Sequence, residues 1–357
     1  MTITATRTGF HTLRVADVER LCDDAVAVTF EVPEDLRGAF AFRPGQYLTL
    51  RMLDGSAEQR RSYSICAPVG SAPRVGVRRV DTGLFSEWLV DRLAAGDEID
   101  VAPPAGSFTP DLVPGAHRGL IAAGSGITPV LSIAASVLAA HDDTRVTVLY
   151  GNRRTDTVMF TEALADLKNA HGPRLQLIHV LSREPMAAEL LSGRLDAHRL
   201  RLLMGALVDV DDIDDWWLCG PLGMTVDAQD VLVELGVPKA RVHRELFYVD
   251  EPPPEPSRVE ARVTGETSEV TVVLDGRTTV LTLPRAESVL DAAQKVRGDL
   301  PFACKGGVCG TCRARVTGGE VVMRRNFALE DDEVAAGFVL TCQSRPVSAA
   351  VTVDFDS

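Results

Sequence analysis

No apolar run in the chain approaches the roughly 18 residues that a membrane-spanning helix needs. Positive charge is also scarce: 37 Lys and Arg stand against 50 Asp and Glu, for a formal net charge of −13. Nucleic acids and anionic membrane surfaces both reward clustered cations, so neither is an expected partner, whereas a charged protein remains one. Met1 to Arg14 lacks the charged-then-apolar layout of a signal peptide, which predicts a cytoplasmic protein. The seven histidines are scattered without ligand spacing, so a histidine-bound metal is not expected. No internal repeat is present. Cysteine is limited to seven residues, an awkward number for a disulfide framework, and 357 residues supply enough core to need none. Metal or redox use is the better expectation.

Proline does the clearest dividing. Four prolines fall between Asp250 and Ser257, where neither a helix nor a central strand can continue, so 250–258 reads as a semi-rigid linker. Beyond it, in 259–357, strands are expected at Val259 to Val263 and Glu269 to Leu274. Asp275-Gly276 is a hairpin turn into Thr278 to Leu283, and a short helix follows at Ser288 to Val296. Strands, a helix and a cysteine-rich loop suit a small α+β domain. Residues 1–113 hold short β-rich pieces broken by Gly and Pro (Leu13 to Val18, Ala25 to Val32, Tyr47 to Met52, Arg74 to Val80), the pattern of an antiparallel barrel. Residues 114–249 alternate instead: strands Gly119 to Ala122, Arg145 to Tyr150, Leu175 to Leu181 and Asp215 to Cys219 are interleaved with helices Pro129 to Ala140, Val158 to Asn169 and Leu222 to Leu235. That is the signature of a doubly wound parallel sheet. Trp216-Trp217 reads as strand-edge packing, and the acidic run Asp209 to Asp215 as a solvated loop.

The cysteines fall into two groups. Cys22, Cys66 and Cys219 stand alone, and the first two read as packing residues. Cys304, Cys309 and Cys312, followed by a distant Cys342, follow the C-x4-C-x2-C…C spacing of plant-type 2Fe-2S ligation. Four thiolates must converge on two irons, and Gly306, Gly307 and Gly310 are expected to supply the backbone freedom for so tight a loop. A structural zinc site is the alternative, but zinc favours paired C-x2-C knuckles and only one is present.

Two further stretches offer cofactor chemistry. Gly124-Ser125-Gly126-Ile127-Thr128-Pro129 joins an expected strand to a helix and would present N–H groups to a pyrophosphate, or would be only a tight turn. Arg61-Ser62-Tyr63-Ser64 puts a cation, an aromatic face and hydroxyls on one barrel strand, which an ordinary half-buried strand could also do. In context, Arg61 to Ser64 resembles the R-x-Y-S flavin motif of the ferredoxin-NADP reductase superfamily. Gly83-Leu-Phe-Ser86 resembles its flavin pyrophosphate loop, Gly124 to Pro129 its nicotinamide-nucleotide loop, and Cys219-Gly220-Pro221 its C-G-P signature. Glu245-Leu-Phe247 resembles its closing E-x-F. The stretches Ala303 to Cys312, Asn326 to Glu330 and Ala335 to Ser344 are similar to reductase subunits of bacterial phenylacetyl-CoA epoxidases, and reductases of ketosteroid 9α-hydroxylases share the same domain order.

The resemblance implies FAD, a 2Fe-2S cluster on a β-grasp ferredoxin domain, and NADPH, with NADH the other possible donor. Arg61 would pair with a flavin phosphate, Tyr63 lie against the ring and Ser64 hydrogen-bond near it, while Ser62, Arg78 and Val80 add contacts. Gly83 and Ser86 would cradle the flavin pyrophosphate. Gly124, Ser125, Gly126, Thr128, Gly220 and Phe247 would serve the cofactors too. Ser182-Arg183 resembles the pair that grips a 2′-phosphate, with Arg153 and Arg154 able to assist. Ser64, Cys219 and Glu245 would be the catalytic residues. Electrons would leave to an oxygenase component, a diiron epoxidase or a Rieske-type ring hydroxylase. A non-catalytic flavin and iron-sulfur redox sensor, and a reductase partner of a nitric oxide or hybrid-cluster protein, use the same modules.

Overall fold

The computed structural model describes residues 9–54, 57–80, 83–247 and 267–357. The expected linker at 250–258 and the strand at Val259 to Val263 lie outside them. The chain divides into two compact units, one spanning 10–247 and the other containing 267–357.

The first unit begins with strands β1 (His11–Cys22), β2 (Ala25–Glu31), β3 (Tyr47–Asp54), β4 (Ala57–Ser64), β5 (Arg74–Arg78) and β6 (Glu98–Val101), plus helix α1 (Leu84–Asp91). They form an antiparallel sheet in the order β4-β3-β6-β1-β2-β5. An antiparallel bridge from Ile65 to Val75 brings its two ends together, which closes the barrel. On β1 Leu13 and Val15 are buried between exposed neighbours, the period-2 alternation of a strand with one wet face. Those two side chains pack with Phe30, Leu48, Leu50 and Val77 in the barrel core.

The same unit continues into β7 (His117–Ala123), β8 (Arg145–Asn152), β9 (Leu175–Leu181), β10 (Asp215–Cys219) and β11 (Val242–Glu245), with α2 (Ile127–Ala140), α3 (Thr161–His171), α4 (Ala197–Leu207) and α5 (Leu222–Glu234). The strands are parallel, in the order β11-β10-β7-β8-β9. Both faces are covered, so the strands read as continuous apolar runs. Leu120 and Ala122 pack with α2 and α3, whereas Ile121 faces α4 and α5. Trp216 and Trp217 straddle β10 in the same way, one in each core. They are therefore core residues of an interior strand and do not sit at an edge. The acidic run is not merely solvated either: Asp212 receives both Nη atoms of Arg145, and Asp214 accepts the His117 backbone N–H at 2.8 Å.

Barrel and parallel sheet share contacts. Ser132 on α2 donates to the Ala67 carbonyl at 2.7 Å, and the Val69 N–H donates to Ser136 at 3.0 Å. Gly76 on β5 has no room for a side chain, because a Cβ there would lie 2.4 Å from Thr128 and 2.9 Å from Phe160. Cys66 packs at this seam with Ala25 and Ala27, in keeping with its packing role.

The second unit contains β12 (Thr267–Leu274), β13 (Arg277–Pro284), α6 (Val289–Gln294), β14 (Arg313–Gly318), β15 (Val321–Met323), α7 (Asp331–Ala335), β16 (Phe338–Leu340), β17 (Ser344–Pro346) and β18 (Ala350–Asp354). The main sheet runs β13-β12-β18-β14-β16, with β12 and β18 parallel across its middle. Helix α6 presses Val289, Leu290, Ala292 and Ala293 into the core, a β-grasp arrangement. The Asp275-Gly276 turn has positive φ at both residues, as a tight hairpin requires.

Candidate functional sites

In the first unit the residues singled out by the sequence gather at the carboxyl ends of the parallel strands and on the adjoining barrel wall. Ser64 ends β4, and its hydroxyl donates to the Glu245 carboxylate at 3.1 Å. Glu245 ends β11 beside Cys219, which ends β10. Glu245 keeps partial solvent access, yet desolvation pushes its pKa up to about 8, with the Ser64 hydrogen bond opposing the rise. Burial, then the nearby Glu245, pushes the Cys219 thiol far up, so it remains a neutral thiol. A hydroxyl, a readily protonated carboxyl and a neutral thiol thus meet at one end of the sheet.

Glycines let the backbones meet there. At Gly126 a Cβ would fall 2.0 Å from the Cys219 carbonyl oxygen, and Gly220 is hemmed in by Met224 and Ala123. Gly124 adopts φ +56, and the turn Gly124 to Gly126 is pinned by Thr128, whose hydroxyl donates to the Ser125 carbonyl at 2.9 Å. Pro129 is the third residue of α2 rather than its first.

On the barrel side, Tyr63 packs 6.2 Å from the Phe85 ring, and burial raises its hydroxyl pKa. Ser62 pairs with Thr49 at 3.2 Å, while Arg61 is exposed and donates to the neighbouring Arg60 carbonyl. Arg78 contacts Asp24 and the Thr157 carbonyl, so it ties the barrel to the parallel sheet. Ser86 accepts the Val80 N–H at 3.0 Å and donates to the Gly83 carbonyl at 2.9 Å, which fixes the loop leading into α1. Val80 and Phe247 are exposed.

Ser182 and Arg183 follow β9, and their N–H groups donate to the carbonyls of Asn152 and Arg153 at 2.9 and 2.8 Å. Arg183 is exposed, and Arg154 pairs with Asp156. Between them lies a residue that the sequence offered no signal for. Asn152 ends β8, is 8% exposed, and has neither side-chain amide atom in a well-formed hydrogen bond. The Tyr150 hydroxyl lies close by but donates to the Gly124 carbonyl at 3.0 Å instead. An orphaned buried amide at the carboxyl end of a parallel sheet is what a bound dinucleotide would satisfy. The close-packed glycine turn beside it fits the same ligand.

The second unit brings the four late cysteines together. Cys304 and Cys309 hydrogen-bond each other, Cys312 and Cys342 do the same, and the two pairs are near enough to interact electrostatically. Two thiol pairs side by side suit the two irons of a 2Fe-2S cluster. The donor set therefore fits the 2Fe-2S cluster. All seven cysteines are free.

Backbone N–H groups surround the sulfurs. Gly306 donates to the Cys304 sulfur at 3.3 Å, and the Gln343 side-chain amide reaches the Cys342 sulfur at 3.6 Å and the Lys305 carbonyl at 2.9 Å. Cys304 is held below the usual thiol range, first by Cys309, with burial opposing and backbone donors adding to the lowering. The loop's left-handed residues are Lys305, Gly307 and Gly310. Gly306 is not among them, and a Cβ there would meet nothing closer than 3.8 Å, which corrects the role expected for it. Lys305 tolerates φ +52 because Asp291 on α6 binds its ammonium at 2.8 Å while Gln343 holds its carbonyl.

Known proteins resemble the chain in each of its domains. Residues 12–109 match an oxidoreductase FAD-binding domain, 120–230 an oxidoreductase NAD-binding domain, and 272–347 a 2Fe-2S iron-sulfur cluster binding domain. The chain is 42% identical over 356 residues to one of the subunits of the 1,2-phenylacetyl-CoA epoxidase of Escherichia coli K12, covering 98% of this chain and 99% of that one. It is 34% identical to the ferredoxin reductase component of the 3-ketosteroid-9-alpha-monooxygenase of Rhodococcus rhodochrous, covering 96% of each. The fold is that of phthalate dioxygenase reductase, with a TM-score of 0.59 at 24% identity over 97% of this chain and 98% of that one. The chain belongs to the family of three-domain reductases, within the ferredoxin-NADP reductase superfamily, that join FAD-binding, NAD-binding and 2Fe-2S domains, and it is an NAD(P)H-dependent flavin and iron-sulfur oxidoreductase.

Proposed function

We propose that the chain is the reductase component of a phenylacetyl-CoA epoxidase, delivering electrons from NADPH to a diiron oxygenase component. The observation that carries this reading is 42% identity to the Escherichia coli epoxidase protein across 98% of the chain. Two-electron exchange with the nicotinamide is the chemistry FAD supplies, and single-electron transfer that of the cluster.

The chain's own residues prepare the rest. Arg61 offers a guanidinium fork for a flavin phosphate, and Tyr63, Arg78, Val80, Gly83 and Ser86 complete the flavin's surroundings. Gly124 to Thr128 and Asn152 receive the dinucleotide, and Gly220 and Phe247 close on it. Cys219, a neutral thiol, positions the nicotinamide without forming a bond to it. Glu245 holds a proton at neutral pH and, through the Ser64 hydroxyl 3.1 Å away, supplies and takes up the proton that accompanies flavin reduction. The exposed Arg183, with Ser182, favours the 2′-phosphate of NADPH. Equal kcat/KM for NADH and NADPH would overturn that preference.

Relatives at 34% identity that serve a ketosteroid monooxygenase support a second acceptor, a Rieske-type ring hydroxylase. Reconstitution separates the two. With the epoxidase's oxygenase component and phenylacetyl-CoA, NADPH should drive O2 uptake and epoxide formation. Turnover only with the hydroxylase component would replace the first reading by the second.

A further inference from the structure

Among the described residues, three other than glycine have a positive φ, and one of them, Lys305, follows the cluster ligand Cys304. The Lys305–Gly306 peptide is held at both ends. The Gln343 side-chain amide donates to its carbonyl at 2.9 Å, and its N–H, on Gly306, donates to the Cys304 sulfur at 3.3 Å. A peptide unit is planar with C=O and N–H pointing opposite ways, so a turn at Lys305 that swings the carbonyl also swings the N–H off the sulfur. The left-handed φ of Lys305 is therefore tied to a hydrogen bond on a ligand.

The Lys305 side chain is anchored on α6. Its ammonium donates to Asp291 Oδ1 at 2.8 Å and lies 4.8 Å from the centre of the Phe302 ring. The other Asp291 oxygen accepts the Ser288 hydroxyl at 2.8 Å, while Ser288 caps α6 by accepting the Asp291 N–H. The same first turn is braced against the far end of the ligand set: the Leu290 N–H donates to the Thr341 carbonyl at 3.2 Å, and the buried Thr341 hydroxyl donates to the Cys312 carbonyl at 2.9 Å. The anchor is thus fixed before Lys305 reaches it. A half-exposed ion pair stabilises little, but left-handed backbone at one residue costs a similarly small amount, so the pair decides the turn without deciding the fold.

From these contacts we infer that Asp291 is a positioning residue for the 2Fe-2S cluster: by holding the Lys305 ammonium it keeps the Lys305–Gly306 peptide turned with its N–H on the Cys304 sulfur, and so raises the cluster's reduction potential. An N–H on a ligand sulfur favours the reduced, more negative cluster, so losing it makes the potential more negative. Charge alone predicts the opposite. Removing a carboxylate and leaving an ammonium near the cluster favours the reduced form, which makes the potential more positive. The sign of the shift therefore separates positioning from electrostatics. The inference goes beyond the proposed function, since it holds whichever nicotinamide nucleotide and whichever acceptor the reductase uses.

The test is a redox titration of the cluster in the holoprotein. Asp291→Ala should shift the midpoint potential to a more negative value, with the cluster's visible absorption retained as the check on folding. Pulsed EPR of the reduced cluster in light and heavy water should show weaker coupling to exchangeable protons in this variant than in wild type. Adding Lys305→Gly to Asp291→Ala should bring both readings back toward wild type, because glycine takes a left-handed φ without an anchor and the pair's charges leave together. If Asp291→Ala holds too little cluster to titrate, the added Lys305→Gly should restore the cluster content instead. An unshifted or more positive potential in Asp291→Ala would overturn the inference, and so would unchanged proton coupling. A double variant no closer to wild type than the single one, in potential or in cluster content, would overturn it as well. Failure of the epoxidase reconstitution, or of the preference for NADPH, would leave these titrations untouched.

Discussion

Glu245 carries the sharpest consequence at the scale of single residues. Its carboxyl pKa, pushed up to about 8, lies above the ordinary 4.5, so the group is mostly protonated at pH 7. Glu245→Gln should lower kcat on the order of 10²-fold, the usual worth of a positioned proton donor, with KM for the nicotinamide nucleotide little changed. The wild-type loss of rate above pH 8 should be absent from the variant. Stability follows the same sign. Ionising a group whose folded-state pKa is raised costs stability progressively from about pH 4.5 up through about pH 8, so Glu245→Gln should be the more stable protein at pH 9 and lose that advantage below pH 4.5. Thermal melts across that range check it. Gln343 gives a second residue-scale prediction. Its amide reaches the Cys342 sulfur, and such donors favour the more negative, reduced cluster. Gln343→Leu should therefore shift the midpoint potential to a more negative value, read by redox titration, with the cluster spectrum retained. An unshifted potential would deny the amide a tuning role. Spacing alone revealed the cysteines, because iron chemistry dictates it. Asn152 was invisible, since an asparagine after a strand has no pattern and only its unpaired burial marks it.

At the scale of elements, the strongly periodic pieces were legible and the short polar ones were not. Strand Leu175–Leu181 and strand Asp215–Cys219 are where the apolar runs place them. Strand β11 is four residues, Val-His-Arg-Glu, and its place in the sheet comes from parallel pairing with β10 rather than from its own composition. That pairing is also what sets Glu245 beside Cys219. The short helix α6 was expected from Ser288 onward, and Ser288 is its N-cap, accepting the Asp291 N–H. Because Asp291 in turn holds Lys305 in the ligand loop, the cap matters beyond the helix. Ser288→Ala should cost about 1 kcal/mol, lowering the melting temperature of the C-terminal unit by about 4–8 °C. Thermal loss of the cluster's visible absorption measures it, and an unchanged midpoint would show that the cap does not stabilise the unit.

For the whole molecule, breaks in composition near Pro110 and at the proline run suggested three modules, and the matched FAD-binding, NAD-binding and 2Fe-2S domains follow one another in that order. The breaks did not reveal that barrel and parallel sheet form a single compact unit, because the seam is made by small residues such as Ala25, Ala27 and Gly76, whose value lies only in what approaches them. No helix of the described residues is long and apolar enough to cross a membrane. The central claim is that the four cysteines form the outlet of a reductase whose inlet is the first unit. Anaerobic stopped-flow of Cys342→Ala beside wild type tests it most directly, following flavin bleaching by NADPH and reduction of the oxygenase component in the same experiment. The flavin of the variant should be reduced at the wild-type rate while transfer to the oxygenase is lost. Transfer to the oxygenase at the wild-type rate from a protein without its cluster would contradict the account.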